Sequence, residues 1–177
     1  MNLLLARCVP YTFNDRCLAI HDYVRTEDVR HLVGPIYEHA NQHRHHLTCG
    51  VAWWMWNAHR NGTLKYIPDP EDCDFWARPL VTLARRGGDC DDLAILAGTL
   101  GRAVGLYTEF VVGRLTQKGV PPGVHVWVEG SDEYGFFLIE ATRGTLLRER
   151  PRGYEPFYFL TPERCFYPGE RHATRAC

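Results

Sequence analysis

The stretch from Leu93 to Val104, LAILAGTLGRAV, restricts the fold more than any other part of the chain. Leu93, Leu96, Ala97, Leu100, Ala103 and Val104 recur at helical spacing, while Ala94, Ile95 and Gly98 leave the remaining faces small or apolar. A helix with so little polar surface has to be enclosed by other elements. Its ends are marked: Asp89 can serve as N-cap, Asp91 and Asp92 fall in the first turn where the helix dipole favours acid, and Gly105 fits a C-terminal cap. A thiol, Cys90, stands at the mouth of this helix among those three aspartates.

The flanking sequence predicts what encloses it. Residues 14 to 62 are expected to be helical, since NDRCLAIHDYVR and GVAWWMWNAHRNG both carry apolar residues at helical spacing and the second stops at Asn61-Gly62. KYIPDPEDCDFWARP is rich in Pro and Asp and reads largely as loop, and PLVTLARRGG reads as a short helix closed by glycines. After the helix the apolar period changes to two. LYTEFVVGRL, GVHVWVEG and GFFLIEATRG read as strands, with SDEYG turning the last two into an antiparallel hairpin. Asp132 and Glu133 in that turn are expected to tolerate amide replacements. YEPFYFLTPERCFYPGE adds an aromatic strand before a polar tail. Helices followed by consecutive strands indicate an α+β fold, with N-terminal helices and the central helix packed on an antiparallel sheet, read as one domain over 1–177.

A net charge of -1 gives no electrostatic case for nucleic acid or an anionic membrane. No apolar run approaches the roughly 20 residues that span a bilayer, and the start, MNLLLARCVPYTF, is too short in its apolar part for a signal peptide. The expectation is a cytoplasmic protein. Its seven cysteines, Cys8, Cys17, Cys49, Cys73, Cys90, Cys165 and Cys177, form no CxxC pair and are expected to be mostly reduced.

A helix N-terminus lowers a thiol pKa, and a nearby imidazolium lowers it further. For the second, the strand GVHVWVEG offers His125. It shares a strand face with Trp127 and Glu129, whereas Val124, Val126 and Val128 form the other, packed face. A base also needs orienting, and a carboxylate on an apolar strand is costly unless paired. Glu140, on the hairpin partner of His125, meets both requirements.

These residues resemble the transglutaminase-like superfamily of papain-type cysteine enzymes over about residues 64 to 145. The matches are Gly88-Cys90-Asp92, Ala103-Gly105, His125-Trp127-Val128-Glu129 and Glu140-Thr142; the family usually has Asp where this chain has Glu140. The resemblance implies a transglutaminase-like core and a Cys90-His125-Glu140 triad that cleaves amide or peptide bonds of a protein or peptide substrate through a thioester. Acyl transfer to an amine and a non-catalytic binding scaffold are the alternatives. GDCDDLA is most similar to bacterial transglutaminase-like cysteine proteinases, which implies calcium at Asp89, Asp91 and Asp92. The other account of these acids is capping with ion pairs to Arg85 and Arg86. No cofactor is otherwise required. An oxyanion site would use the Cys90 N–H. Among Gln42, Asn57, Tyr66 and Trp76 the sequence does not choose a second donor, and Trp76, Tyr66 and Trp127 are taken as cleft candidates. His39, His43, His45 and His46 lie before Cys49, with His39 and His43 four apart; without an HExxH context they read as a solvated face. The run WWMW, Trp53 to Trp56, reads as core.

Overall fold

The computed structural model describes residues 5–43, 45–70, 72–117 and 120–170. A short strand β1 (Ala6–Cys8) leads into helices α1 (Phe13–Tyr23), α2 (Val33–His43) and α3 (Leu47–Arg60). Thr12 caps α1, its hydroxyl accepting from the Asp15 N–H at 3.1 Å. The segment read as loop contains β2 (Lys65–Tyr66) and β3 (Phe75–Ala77). Next come α4 (Pro79–Arg85), β4 (Gly87–Gly88) and the buried helix α5 (Cys90–Ala103). Pro79 starts α4 with its φ already set for a helix, and Arg86 ends it in the left-handed region. The strands are β5 (Tyr107–Gln117), β6 (Val120–Asp132), β7 (Gly135–Glu140), β8 (Thr145–Leu147), β9 (Tyr154–Leu160) and β10 (Cys165–Phe166). They form a six-stranded antiparallel sheet in the order β10-β9-β5-β6-β7-β8. The α+β architecture expected from the sequence is the one observed.

The sheet buries apolar side chains on both faces. Val112, Val126, Val128, Phe137 and Ile139 join Leu93, Leu96, Ala97 and Leu100 of α5 in the main core. Burying each of those large aliphatic side chains contributes roughly 1.5–3 kcal/mol. The helix lies close to the sheet because it carries glycine at the contact: a Cβ on Gly98 would come within 2.3 Å of the Phe110 ring. On the opposite face Val111, Trp127, Leu138, Tyr154 and Phe159 form a second cluster. Arg150 closes over it, bonding both Glu129 oxygens at 2.6 Å.

Four expectations are revised. Val124 is exposed rather than packed, because β6 runs beyond the end of α5. Residues 65–77 are not all loop: β2 pairs in parallel with β4, and β3 pairs with β1. Asp132 is no bland turn residue, since its buried carboxylate accepts from Thr48, Arg148 and the Tyr134 N–H. The cysteines are not mostly reduced. Cys8 is bonded to Cys73 and Cys17 to Cys165, with Cα separations of 5.3 and 5.8 Å inside the range a disulfide spans. Cys49 and Cys90 are free, and Cys177 lies outside the described residues.

Candidate active site

The mouth of α5 is built by its caps. The Asp89 side chain accepts from the Asp91 N–H at 3.2 Å and starts the helix at Cys90. Asp92 turns back and accepts the Ala77 N–H at 2.8 Å, which ties β3 to the helix. Its carboxylate packs on Gly88, where a Cβ would fall 2.3 Å from an Asp92 oxygen. Glycine at 88 is therefore required by the acid at 92, and both place the thiol between them.

Cys90 is half-buried, and the backbone N–H of Val126, the residue after His125, donates toward its sulfur. Burial pushes the thiol well above its ordinary range, and the charges of Asp89 and Asp91 push it further. Tyr66 on β2 faces the same sulfur. Burial, then the charge of Cys90 and that of Asp89, push its hydroxyl up to about 12.

His125 and Glu140 meet directly. His125 Nε2 donates to Glu140 Oε2 at 2.9 Å. Glu140 also accepts from Tyr154 Oη at 2.8 Å, Thr142 Oγ1 at 2.7 Å and the Thr142 N–H at 3.2 Å. Burial alone would raise this carboxylate, but the donors outweigh it and hold Glu140 below its ordinary value. From behind, His59 of α3 donates to the Ala141 carbonyl at 2.8 Å and fixes the end of β7.

Beside the thiol lies a second group of acids. Single oxygens of Asp69, Asp74 and Asp91 lie within 4.8 Å of one another, and so do ligand atoms of Asp89, Cys90 and Asp91. Asp69 Oδ1 and Asp91 Oδ1 are buried without a hydrogen-bond partner. Burial raises Asp69 to about 6. It also raises Asp91, with the charge of Asp89 adding to the effect. Hard oxygens left unpaired at short mutual distance fit an oxygen-seeking cation such as calcium.

Of the sequence candidates, the structure brings His125 to Glu140 and leaves Cys90 against the neighbouring Val126 N–H. Asp89 and Asp91 stay beside the thiol. Asp92 does not share the acid group: one oxygen goes to Ala77 N and the other faces Arg85 Nη1 at 3.8 Å. Trp76 and Trp127 lie in the interior. Both are fully buried, and their indole N–H groups donate to Asp74 at 3.1 Å and Glu129 at 2.8 Å. Tyr66, exposed and near the sulfur, remains. Gln42 bonds Glu38 on the surface of α2. Tyr154, Asp69 and Asp74 were not singled out from the sequence; the unusual density of acid in PDPEDCD was the available sign for the last two.

Residues 55–141 match the transglutaminase-like superfamily. The chain has a transglutaminase-like core. Within it lie Tyr66, Cys90, His125 and Glu140, and the match ends one residue after Glu140. The fold is similar to that of a proposed cysteine protease from Cytophaga hutchinsonii, with a TM-score of 0.55 and 16% identity over 80% of this chain. The chain spans only 45% of that protein. Calcium-bound LapG from Legionella pneumophila gives a TM-score of 0.51 at 20% identity, covering 65% of this chain and 67% of LapG. EGTA-treated LapG gives 0.51 at 19% identity, covering 68% of each. No curated protein matches the chain. Around the transglutaminase-like core, helices α1 and α2 precede the matched segment and strands β8, β9 and β10 follow it.

Proposed function

We propose that this protein is a cysteine-dependent hydrolase of amide or peptide bonds in a protein or peptide substrate, with Cys90 as nucleophile, His125 as base and Glu140 as its orienting carboxylate. The observation that carries this reading is the 2.9 Å bond from His125 Nε2 to a buried Glu140. It leaves Nδ1 as the nitrogen that takes the thiol proton, and it stabilises the imidazolium that results. The thiolate then attacks the substrate carbonyl. The Cys90 N–H, in the first turn of α5 and without an intrahelical acceptor, faces the developing oxyanion, with the Tyr66 hydroxyl as second donor. His125 passes the proton to the leaving amine, and a water deprotonated by the same ring cleaves the thioester. An amine in place of that water would give acyl transfer. We favour hydrolysis, which the likeness in fold to a proposed cysteine protease supports.

Calcium fits the acids beside the thiol, and the calcium-bound state of LapG supports the same reading. Asp69, Asp74 and Asp91 would hold the ion, with Asp89 adjacent, in place of the Asp89, Asp91 and Asp92 set expected from the sequence. Bound there, it supplies positive charge that offsets the carboxylates crowding Cys90. The paired cysteines favour an oxidising compartment over the cytoplasm expected from the sequence.

The test combines reactivity and turnover. Iodoacetamide at pH 6 to 8 with millimolar calcium should modify Cys90 faster than Cys49, and His125→Ala should slow that reaction. Cleavage of unfolded protein substrates should fall by orders of magnitude in Glu140→Gln. Faster labelling of Cys49, or full activity of Glu140→Gln, contradicts the triad. Amine incorporation exceeding cleavage would move the assignment to acyl transfer, and absence of both activities with a reactive Cys90 would favour the scaffold.

A further inference from the structure

The histidines read from sequence as a solvated face are gathered by the fold around one cavity. His39 and His43 stand one turn apart on α2. The chain then bends back, with the His45 N–H donating to the Ala40 carbonyl at 2.9 Å, and this returns a third imidazole to the same place. The ring centroids are 4.5 Å apart for His39 and His43, 5.8 Å for His39 and His45, and 5.7 Å for His43 and His45. These rings and the free thiol of Cys49, in the first turn of α3, line an open cavity of about 630 Å³. His39 is fixed there by Trp53, one turn beyond Cys49, whose ring stacks on it at 4.0 Å and 6°.

We propose that His39, His43, His45 and Cys49 form a binding site for a divalent transition metal of the zinc type, separate from the oxygen-lined acids beside Cys90. The donor chemistry selects the ion: three imidazoles and a thiol suit zinc, and among the described residues lining the cavity there is no carboxylate to favour calcium. The spacing fits as well. A tetrahedral ion bonded to imidazole nitrogens at about 2 Å places ring centroids roughly 5 Å apart, close to the three separations observed. The nitrogens do not converge as tightly as the oxygens of Asp69, Asp74 and Asp91. His43 and His45 are exposed, and rotation of their rings closes the set. The bound ion would join α2 to α3 beneath Gly144 and the start of β8, where Thr145 pairs with Glu140 across β7 and β8. The site does not depend on the hydrolase reading.

The experiment uses the full chain carrying Cys90→Ser, so that the active-site thiol cannot ligate metal. Zinc is titrated in competition with a chromophoric chelator, and cobalt is then used as a spectroscopic probe. One equivalent should bind, and His39→Ala/His43→Ala should weaken it at least 100-fold. Cobalt should give tetrahedral bands with a thiolate charge-transfer component that Cys49→Ser removes. Melts without metal check that each variant is folded, and His43→Ala/His45→Ala, confined to exposed rings, replaces the first pair if that one is not. Unchanged zinc affinity in folded histidine variants, or a loss of binding that follows Asp91→Asn instead, would overturn the site.

Discussion

Tyr154 supplies one of the four hydrogen bonds that Glu140 accepts, and Tyr154→Phe removes it with little change in shape. A hydrogen bond to a buried charged group is worth about 1.5–3 kcal/mol. Losing it raises the folded-state pKa of Glu140, because the donor favours the ionised carboxylate. The sign of the pH dependence follows. Glu140 is held below its ordinary value of 4.5, so its ionised form contributes stability that is present above that pH and is lost as acid titrates the folded value. Tyr154→Phe should therefore cost about 1.5–3 kcal/mol near pH 7, and the cost should shrink as pH falls below 4.5. Urea unfolding at intervals between pH 3 and 7 measures this directly. Tyr158→Phe is the comparison: that hydroxyl accepts from Arg16 Nη1 at 2.9 Å, and the guanidinium does not titrate in this range. Turnover should fall far less in Tyr154→Phe than in Glu140→Gln, since the carboxylate keeps its charge. A Tyr154→Phe penalty that stays constant across pH, like that of Tyr158→Phe, would show that Tyr154 only fills space.

Without a cation, burial raises Asp69 to about 6 and Asp92 to about 8, so the folded chain holds protons that the unfolded chain has released, and stability should fall as pH rises from about 4 to about 8. Calcium at 100 times its Kd should add about 2.7 kcal/mol, read as a higher melting midpoint; an equal gain in Asp91→Asn would disprove the ligand set. Cys17→Ala/Cys165→Ala opens a loop with a sequence separation of 148, which chain entropy values at about 5 kcal/mol, and an unchanged urea midpoint would contradict that bond. Asp132→Asn should destabilise by about 1.5–3 kcal/mol through its bonds to Arg148 and Thr48, and a melt like that of the parent would refute it.

Helix α5 and strands β5, β6 and β7 were legible because each carries its own periodicity, and the His125–Glu140 pair followed from their hairpin. The pairings of β1 with β3 and of β2 with β4 were not. They span two or three residues, and distant contacts fix them, such as Lys65 N–H to the Arg86 carbonyl. Trp76 and Trp127 were misread because an aromatic beside a reactive motif looks like a cleft wall. The alternation of β6 gave Trp127 an outer face, but the segment carrying Arg150 and Tyr154 covers that face. Tyr154 was missed for the same reason: the β5–β9 pairing sets its strand with β5 and β6 between it and β7, and its hydroxyl reaches Glu140 from there. Asp69 and Asp74 belong to a segment without periodicity, so their acidity was legible but their meeting with Asp91 was not.

The two disulfides bear on how proteolysis of this chain has to be observed. Cys8–Cys73 and Cys17–Cys165 bracket overlapping stretches, so every peptide bond between residues 8 and 165 lies inside at least one closed ring. One cut in that span, whether made by a host enzyme or by another copy of the protein itself, releases no fragment. The nicked chain keeps its full mass on a non-reducing gel and separates into two pieces only after a thiol is added. A preparation that looks intact without reductant can therefore already be cleaved, and self-processing would escape notice unless both gels are run.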